Sequence, residues 1–194
     1  MLYDNDRIMG FDLRVVRDAD NPWFPEYLLR EDVKTVVSVD PLVCPIPISE
    51  QTRRSQIDNR SKENFFGLLM SPPQISTLGP HEFKIAVSIS EEVHIKFTEK
   101  FSAPSTSGSL STTSDLISDG WIPLGYDVID INRLISGLLN CGPYSVELKE
   151  RFAPHINRFG LFDELSIAKK YAEIRGIEIP AHSPFYPALL WKKP

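Results

Sequence analysis

The apolar residues of this chain change their spacing on either side of a stretch rich in serine and threonine. Residues 102–115, SAPSTSGSLSTTSD, are mostly serine and threonine, which is typical of a mobile loop or linker. Before this stretch apolar and polar residues alternate, as on a half-buried strand, and after it apolar residues recur every three or four positions, as on a helix. The change predicts an α+β fold, with an antiparallel β-sheet from the N-terminal half and about three helices from the C-terminal half packed on one face.

Strand-like segments fill the first half. Residues 7–17 alternate in hydrophobicity, and residues 33–39, VKTVVSV, are β-branched and apolar. The clearest alternation is in residues 83–89 and 93–97, which we expect to be adjacent antiparallel strands joined by a tight acidic turn at residues 90–92. A single long bent strand is the alternative.

Helical spacing dominates the region after the loop. Residues 127–140 predict an amphipathic helix whose first residue, an aspartate, can cap it. A second helix is expected from residue 145 until Pro154 kinks or stops it. A third is expected over residues 163–176, again with an aspartate as N-cap and with a glycine at its end. Residues 177–194 predict an extended tail that packs on the body and begins with a short strand.

The length of 194 residues fits a single domain. We therefore expect one domain over residues 1–194, divided into a β-rich region at residues 1–101, a flexible Ser/Thr-rich loop at residues 102–119, a helical region at residues 120–176 and an extended C-terminal tail at residues 177–194. No run approaches the roughly 18 apolar residues of a membrane span, and the first residues lack the basic and apolar regions of a signal peptide. These features predict a cytoplasmic protein that does not interact with membranes.

The net charge is −5, with 26 acidic and 21 basic residues, and the acidic surplus is concentrated in the first 40 residues. Nucleic-acid affinity depends mainly on clustered lysine and arginine, so the balance argues against a nucleic-acid partner and favours a basic protein. Basic residues gather once, within TRRSQIDNRSK at residues 52–62. This segment could contact phosphate or RNA, but without interleaved aromatic residues a solvated loop is the better interpretation.

No motif for catalysis or metal binding occurs. HExxH, CxxC, GxSxG and the phosphate-binding glycine patterns are absent, so we predict no metal, no cofactor and no catalytic residue. His94 alternates with apolar positions and is expected to face solvent. The alternative is a small metal-independent enzyme or RNA-processing factor, whose histidines would be brought together by folding; the candidates are His81, His94, His155 and His182.

The two cysteines are far apart, and a reducing compartment disfavours a bridge between Cys44 and Cys141. Cys141 follows the predicted helix 127–140 and precedes Gly142, a residue typical of helix ends. Because the negative end of a helix dipole disfavours a thiolate, we expect Cys141 to be a small buried group rather than a nucleophile.

The segment DADNPWFPEYLLRED, residues 18–32, combines aromatic and acidic residues with two prolines that restrict the backbone. Large aromatic anchors surrounded by charge are typical of a surface that binds a basic protein; the alternative is that the aromatic residues fold inward and cover the edge of the sheet. The candidate binding residues, including the predicted acidic turn, are Asp18, Asp20, Trp23, Phe24, Glu26, Tyr27, Glu91 and Glu92.

Two phrases, GYDVIDINRLISGLLNCG at residues 125–142 and GLFDELSIAKKYAEIRGIEIPAHSPFY at residues 160–186, resemble bacterial immunity proteins. Such proteins protect the cell from the toxins of contact-dependent growth inhibition and other polymorphic toxin systems. The resemblance implies a cytoplasmic inhibitor that binds a cognate toxin domain, commonly a basic nuclease, and blocks its active site. Immunity proteins have many folds and no shared binding motif, so the resemblance assigns no site residues.

Overall fold

The computed structural model describes residues 6–20, 32–51, 67–101, 111–140, 142 and 144–194, and these form an α+β fold, which confirms the predicted class. The strands are β1 (Arg7–Val15), β2 (Arg17–Asp18), β3 (Thr35–Val36), β4 (Glu82–Ile89), β5 (Ile122–Asp130), β6 (Ile135–Ser136) and β7 (Tyr186–Lys192). The helices with described bounds are α1 (Glu91–Phe101), α2 (Thr113–Ser118), α3 (Val146–Phe152) and α4 (Leu165–Glu178). Short 3₁₀ helices span Ala153–His155 and Pro180–His182, and residues 48–51 are also helical.

Five strands form an antiparallel sheet in the order β1-β4-β7-β5-β6, and β2 pairs with β3 in a separate sheet of two strands. The five-stranded sheet therefore draws three of its strands from the second half of the chain, whereas the sequence predicted a sheet from the first half. The C-terminal tail, predicted to be extended, supplies β7 at the middle of the sheet.

The helix predicted over residues 127–140 is wrong. This region contains the end of β5, a turn and β6, with Asp130 paired with Ile135 across the hairpin. Seven consecutive residues at the end of β5 are buried, so both faces of this strand lack solvent contact. Alternation disappears from a strand that is buried on both faces, and the remaining apolar run can match a helical spacing by chance.

Of the two adjacent strands predicted over residues 83–89 and 93–97, the second is wrong. Residues 83–89 lie in β4 as expected, but α1 follows directly, with Glu91 and Glu92 in its first turn. The hydroxyl of Ser90 accepts a hydrogen bond from the N–H of Val93 at 3.4 Å. Acidic residues at a helix N-terminus stabilise the macrodipole, so the acidic residues that suggested a turn instead begin a helix.

Some of the predicted flexible loop 102–119 is ordered secondary structure. Its last residues contain α2, which begins with a capping box between Thr112 and Asp115. Asp115 Oδ2 accepts from the N–H of Thr112 at 2.8 Å, and Thr112 Oγ1 accepts from the N–H of Asp115 at 3.4 Å. The rest of that prediction, residues 102–110, lies outside the described residues.

The other two predicted helices are close to α3 and α4. Ser145 caps α3, with its hydroxyl accepting from the N–H of Leu148 at 3.1 Å. The N-cap of α4 is Glu164 rather than Asp163, whose carboxylate instead accepts from Asn157. Because α4 continues to Glu178, the short strand predicted over residues 177–180 is wrong.

Two compact units can be distinguished in the described chain. The first unit lies within residues 1–15, 46–123 and 190–194, and the second within residues 16–45 and 124–189. In the first unit, β1 is almost wholly buried and pairs with β4, with a bulge between Ile8 and Gly10. A buried ion pair joins Arg14 Nη2 to Asp12 Oδ2 at 2.7 Å on this strand.

Aromatic side chains form much of the core of the second unit. The rings of Phe152 and Tyr171 make an edge contact at 5.0 Å between centroids, and the ring of Phe162 lies 5.2 Å from that of Tyr171. All three side chains are buried. They join α3 and α4 to Tyr126 of β5, which pairs with Phe162 through two backbone hydrogen bonds.

Candidate functional site

The segment that contains most of the predicted binding residues lies between two paired antiparallel strands. Strand β2 pairs with β3 so that Asp18 lies opposite Thr35. Beyond this pair the N–H of Ala19 donates to the carbonyl of Lys34 at 3.0 Å. We name residues 17–36 the acidic hairpin. Its pairing holds the two ends of the acid-rich segment together.

Three acidic side chains lie at the described base of the acidic hairpin. Asp20 and Asp32 are exposed, and Asp18 is half-buried. The predicted residues Asp18 and Asp20 are therefore brought near the other end of the segment, where Asp32 lies. The remaining predicted residues of this segment lie outside the described residues: Trp23, Phe24, Glu26 and Tyr27.

The turn that follows β3 folds back and binds both strands of the acidic hairpin. Arg17 Nε donates to the carbonyl of Val43 at 2.8 Å, and Cys44 Sγ donates to the carbonyl of Val36 at 3.3 Å. The turn is closed by the carbonyl of Asp40, which accepts from the N–H groups of Val43 and Cys44. Cys44 is a fully buried thiol. The base of the hairpin is thus fixed by contacts outside its own two strands.

A polar cluster joins this turn to the rest of the unit, and we name it the Asp–Ser network: Ser38, Asp40, Asp127 and Ser136, which are buried, and Asn140, which is half-buried. Asp127 Oδ2 accepts from Ser38 Oγ and Asp127 Oδ1 from Ser136 Oγ, each at 2.6 Å. Asp40 Oδ2 accepts from the N–H of Ser136 and from Asn140 Nδ2, each at 2.8 Å. The network therefore joins the segment after the acidic hairpin to β5 and β6.

Two carboxylates are buried within this network. Asp127 and Asp40 each have 0% of their surface exposed. Burial raises the pKa of Asp127 to about 6, and the charge of Asp40 acts in the same direction. The hydrogen bonds from Ser136, Ser38 and the N–H of Val128 oppose the rise, because they stabilise the ionised carboxylate. Asp127 is thus poised to change its charge closer to neutral pH than an exposed aspartate.

A tyrosine from α4 completes the surroundings of the network. The buried hydroxyl of Tyr171 donates to the carbonyl of Gly137, the residue after Ser136, at 3.1 Å. Burial raises the pKa of Tyr171, so its phenol stays neutral. Gly137 has room for no side chain, because an added Cβ would lie 2.8 Å from the ring of Phe185. The segment after β6 is therefore held closely on two sides.

The predicted acidic turn at Glu91 and Glu92 is instead the first turn of α1 in the first unit. Glu91 Oε1 lies 2.7 Å from Arg7 Nη2, and Glu92 Oε1 lies 2.7 Å from Lys96 Nζ. Both glutamates remain substantially exposed, with 45% and 77% of their side chains accessible. Each therefore pairs with a base, and neither belongs to the unit that contains the acidic hairpin.

His94 lies in α1 and is half-buried, whereas the sequence predicted a solvent-facing strand residue. Burial lowers the pKa of His94 below its ordinary value; the neighbouring Arg7 lowers it further, and Glu91 opposes the shift. This histidine is therefore mainly neutral at pH 7.

His182 has an acidic neighbour in the second unit. Its Nδ1 lies 3.5 Å from Asp130 Oδ2 and 3.2 Å from Arg133 Nη1. When Nδ1 accepts from Arg133, the imidazole is neutral with its proton on Nε2; when protonated, Nδ1 can donate to Asp130 instead. His81 and His155 are exposed. His182 therefore has a carboxylate within reach of its ring, as an acid–base pair requires.

Within the described ranges, no three histidine, cysteine, aspartate or glutamate side chains are grouped so that they could hold a metal ion. Among the same residues, no helix combines the length and the hydropathy needed to cross a membrane.

Sequence reasoning missed most of the Asp–Ser network. The sequence predicted Asp127 as a helix cap, although its position within the apolar run YDVID of β5 is a usable signal, since an acid at the centre of a buried strand needs partners. Ser136 and Asp40 are 96 residues apart, and neither belongs to a recognisable motif. Cys141 lies outside the described residues, and the helix that it was predicted to end does not exist.

Comparison of this chain with models of protein families, with curated proteins and with solved structures finds no match.

Proposed function

We propose that this chain is an immunity protein, which binds a cognate toxin domain through the acidic hairpin and blocks its active site. The observation that carries the proposal is the pairing of β2 with β3, which gathers Asp18, Asp20 and Asp32 at the base of one hairpin. An acid-rich hairpin on a chain of net charge −5 suits a basic partner, such as a nuclease domain with a phosphate-binding cleft.

Acidic and aromatic residues of the acidic hairpin have different roles in binding. The acidic side chains attract the basic partner over a distance of about a Debye length, which raises the rate of association. Trp23, Phe24 and Tyr27 supply the large apolar area that slows dissociation. The complex forms in the cytoplasm, where the toxin domain would otherwise act.

Co-expression provides the first test. If the neighbouring gene encodes a large secreted protein, the C-terminal domain of that protein is the candidate partner. We expect cells that produce this domain to survive only when the chain described here is co-expressed. Growth arrest in the presence of well-folded, abundant chain would contradict the proposed function.

Charge reversal tests the assigned surface. We expect Asp20→Lys to slow association with the toxin domain by about tenfold at low ionic strength, with a smaller effect at high salt. Glu173→Lys is the matched control, because Glu173 is an exposed acid of α4 and its reversal changes the net charge equally. Binding kinetics by surface plasmon resonance should separate the two variants. Equal slowing by both would show that only net charge matters and would remove the hairpin from the proposal.

The pairing of His182 with Asp130 supports a second candidate function, that of a small metal-independent enzyme or RNA-processing factor. A histidine beside a carboxylate can act as a general base. If the chain has this function, the purified protein should cleave RNA, and His182→Ala should abolish the cleavage. Cleavage that survives this substitution would contradict a role for the pair.

A further inference from the structure

We propose that the Asp–Ser network is a buried proton-binding site, in which Asp127 exchanges one proton with solvent and links the ionisation state of the network to the stability of the fold. This inference goes beyond the proposed function and does not depend on it. It rests on the directions of the hydrogen bonds, on the pair of buried acids and on the absence of a compensating cation among the described neighbours.

The hydrogen bonds around Asp127 are arranged for the ionised form. Its two oxygens accept from Ser38 Oγ, Ser136 Oγ and the N–H of Val128, the last at 2.7 Å. The hydroxyl of Ser136 already accepts from the N–H groups of Leu138 and Leu139, at 3.2 and 2.9 Å. A serine hydroxyl has one hydrogen to donate, and here Asp127 receives it. The carboxylate is therefore well solvated by the protein.

Burial and charge act against this ionised form. A second carboxylate, that of Asp40, is attached to the same serine through the N–H of Ser136. Among the described lysines and arginines, none forms an ion pair with Asp127 or Asp40. Tyr171 of α4 also faces Asp127 and is neutral; it in turn interacts electrostatically with Tyr144, Arg175 and Glu178. Two buried carboxylates therefore share one network, and no lysine or arginine in the described part of the chain forms an ion pair with either.

The geometry also shows where the proton can go. Ser38 Oγ accepts from the N–H of Asp40 at 3.1 Å and has a second lone pair. When Asp127 Oδ2 carries a proton, it can therefore donate a hydrogen bond to Ser38 Oγ. The hydroxyl hydrogen of Ser38 then points away from Asp127. Ser136 has no equivalent freedom, because its lone pairs are occupied by two backbone N–H groups. Protonation changes the bond to Ser38 and preserves the bond from Ser136.

The pKa shift of Asp127 fixes the sign of the linkage. The pKa rises from 3.8 to about 6 on folding, so the folded protein binds the proton more tightly than the unfolded chain. The resulting stabilisation is fully present below pH 3.8 and is lost as the pH rises through about 6. From this group alone, the folding equilibrium constant should fall about tenfold between pH 5 and pH 8.

Comparison of the unmodified protein with Asp127→Asn isolates this contribution from that of the other acids. Chemical unfolding at several pH values between 5 and 8 gives the ratio of the two folding constants. We expect the ratio of unmodified protein to variant to fall about tenfold over this range, because asparagine cannot ionise. A ratio that is constant with pH would overturn the proposal.

A direct titration of the carboxyl carbon of Asp127 by NMR serves if Asp127→Asn does not fold. We expect a midpoint near pH 6 in the unmodified protein. Ser38→Ala should raise the midpoint, because the loss of a short donor to the ionised carboxylate outweighs the loss of an acceptor for the neutral acid. Asp40→Asn should lower it by removing the neighbouring charge. Asp20→Asn, at an exposed acid of the acidic hairpin, should leave it unchanged. A midpoint below pH 4.5 in the unmodified protein, or shifts of the same sign in Ser38→Ala and Asp40→Asn, would overturn the proposal.

Discussion

Gly125 is a residue at which the fold leaves no space for a side chain. Its φ of +140° lies in a region that L-residues rarely adopt, and an added Cβ would lie 2.8 Å from Asn157 Nδ2 and 2.9 Å from the carbonyl oxygen of Phe162. The same Asn157 Nδ2 donates to the carbonyl of Leu124 at 2.8 Å. A side chain at Gly125 would therefore disturb both the backbone of β5 and the loop packed against it.

We predict that Gly125→Ala lowers the free energy of unfolding by about 2 kcal/mol or more, since it combines backbone strain with overpacking. Gly120→Ala is the control for strain alone, because Gly120 has a φ of +76° but no atom within 4 Å of the added Cβ. It should cost about 1 kcal/mol. Urea unfolding monitored by fluorescence would measure both. Equal losses in the two variants would show that the close contacts of Gly125 are relieved without cost.

At the scale of secondary-structure elements, the capping box of α2 concentrates several polar contacts at one helix end. Asp115 Oδ2 accepts from the N–H groups of Ser111 and Thr112 and from both of their hydroxyls. The backbone hydrogen bonds from Ser111 and Thr112 hold the pKa of Asp115 below its ordinary value. The stabilisation is therefore present above pH 3.8 and is lost as the pH falls through the lowered pKa.

Thr112→Ala should lower the free energy of unfolding by about 1 kcal/mol, because it removes the N-cap side chain. Ser114→Ala, at an exposed position of the same helix, should have little effect. Thermal unfolding of the three proteins at pH 7 measures the difference. If Thr112→Ala and Ser114→Ala had the same midpoint, the capping box would contribute nothing to stability.

The sequence is sufficient to predict those helices whose start is determined by neighbouring residues. Helix α3 begins one residue after its expected start at Ser145, and α4 begins within two residues of its expected start, because caps and helical spacing depend on neighbouring residues. The end of β5 escapes prediction because burial on both faces removes the alternation that identifies a strand. The Asp–Ser network depends on Asp40 meeting Ser136, a contact between distant segments that a single sequence does not encode locally.

At the scale of the whole molecule, the order of the sheet makes the last strand a central one. Strand β7 lies between β4 and β5, and its residues from Ala188 to Trp191 are buried. Trp191 Nε1 donates to Ser88 Oγ of β4 at 2.9 Å. The sheet can be completed only after residue 192 has been synthesised, so much of its pairing is non-local and formed late.

A chain that ends at residue 185 should lose cooperative unfolding, because it leaves β4 and β5 without the strand between them. Removal of Pro194 alone is the control, since this residue is exposed and lies beyond β7. Circular dichroism during heating distinguishes the two. A cooperative transition with an unchanged midpoint in the shorter chain would show that β7 is dispensable.

The thiol of Cys44 gives the base of the acidic hairpin a built-in reporter. Because the thiol is fully buried and donates to the carbonyl of Val36, a thiol-labelling reagent can reach it only when this turn opens. In a Cys141→Ala background, the rate of Cys44 labelling therefore measures the free energy of that opening without any added probe. Local opening beneath the hairpin becomes observable at a single sulfur atom, separately from unfolding of the whole chain.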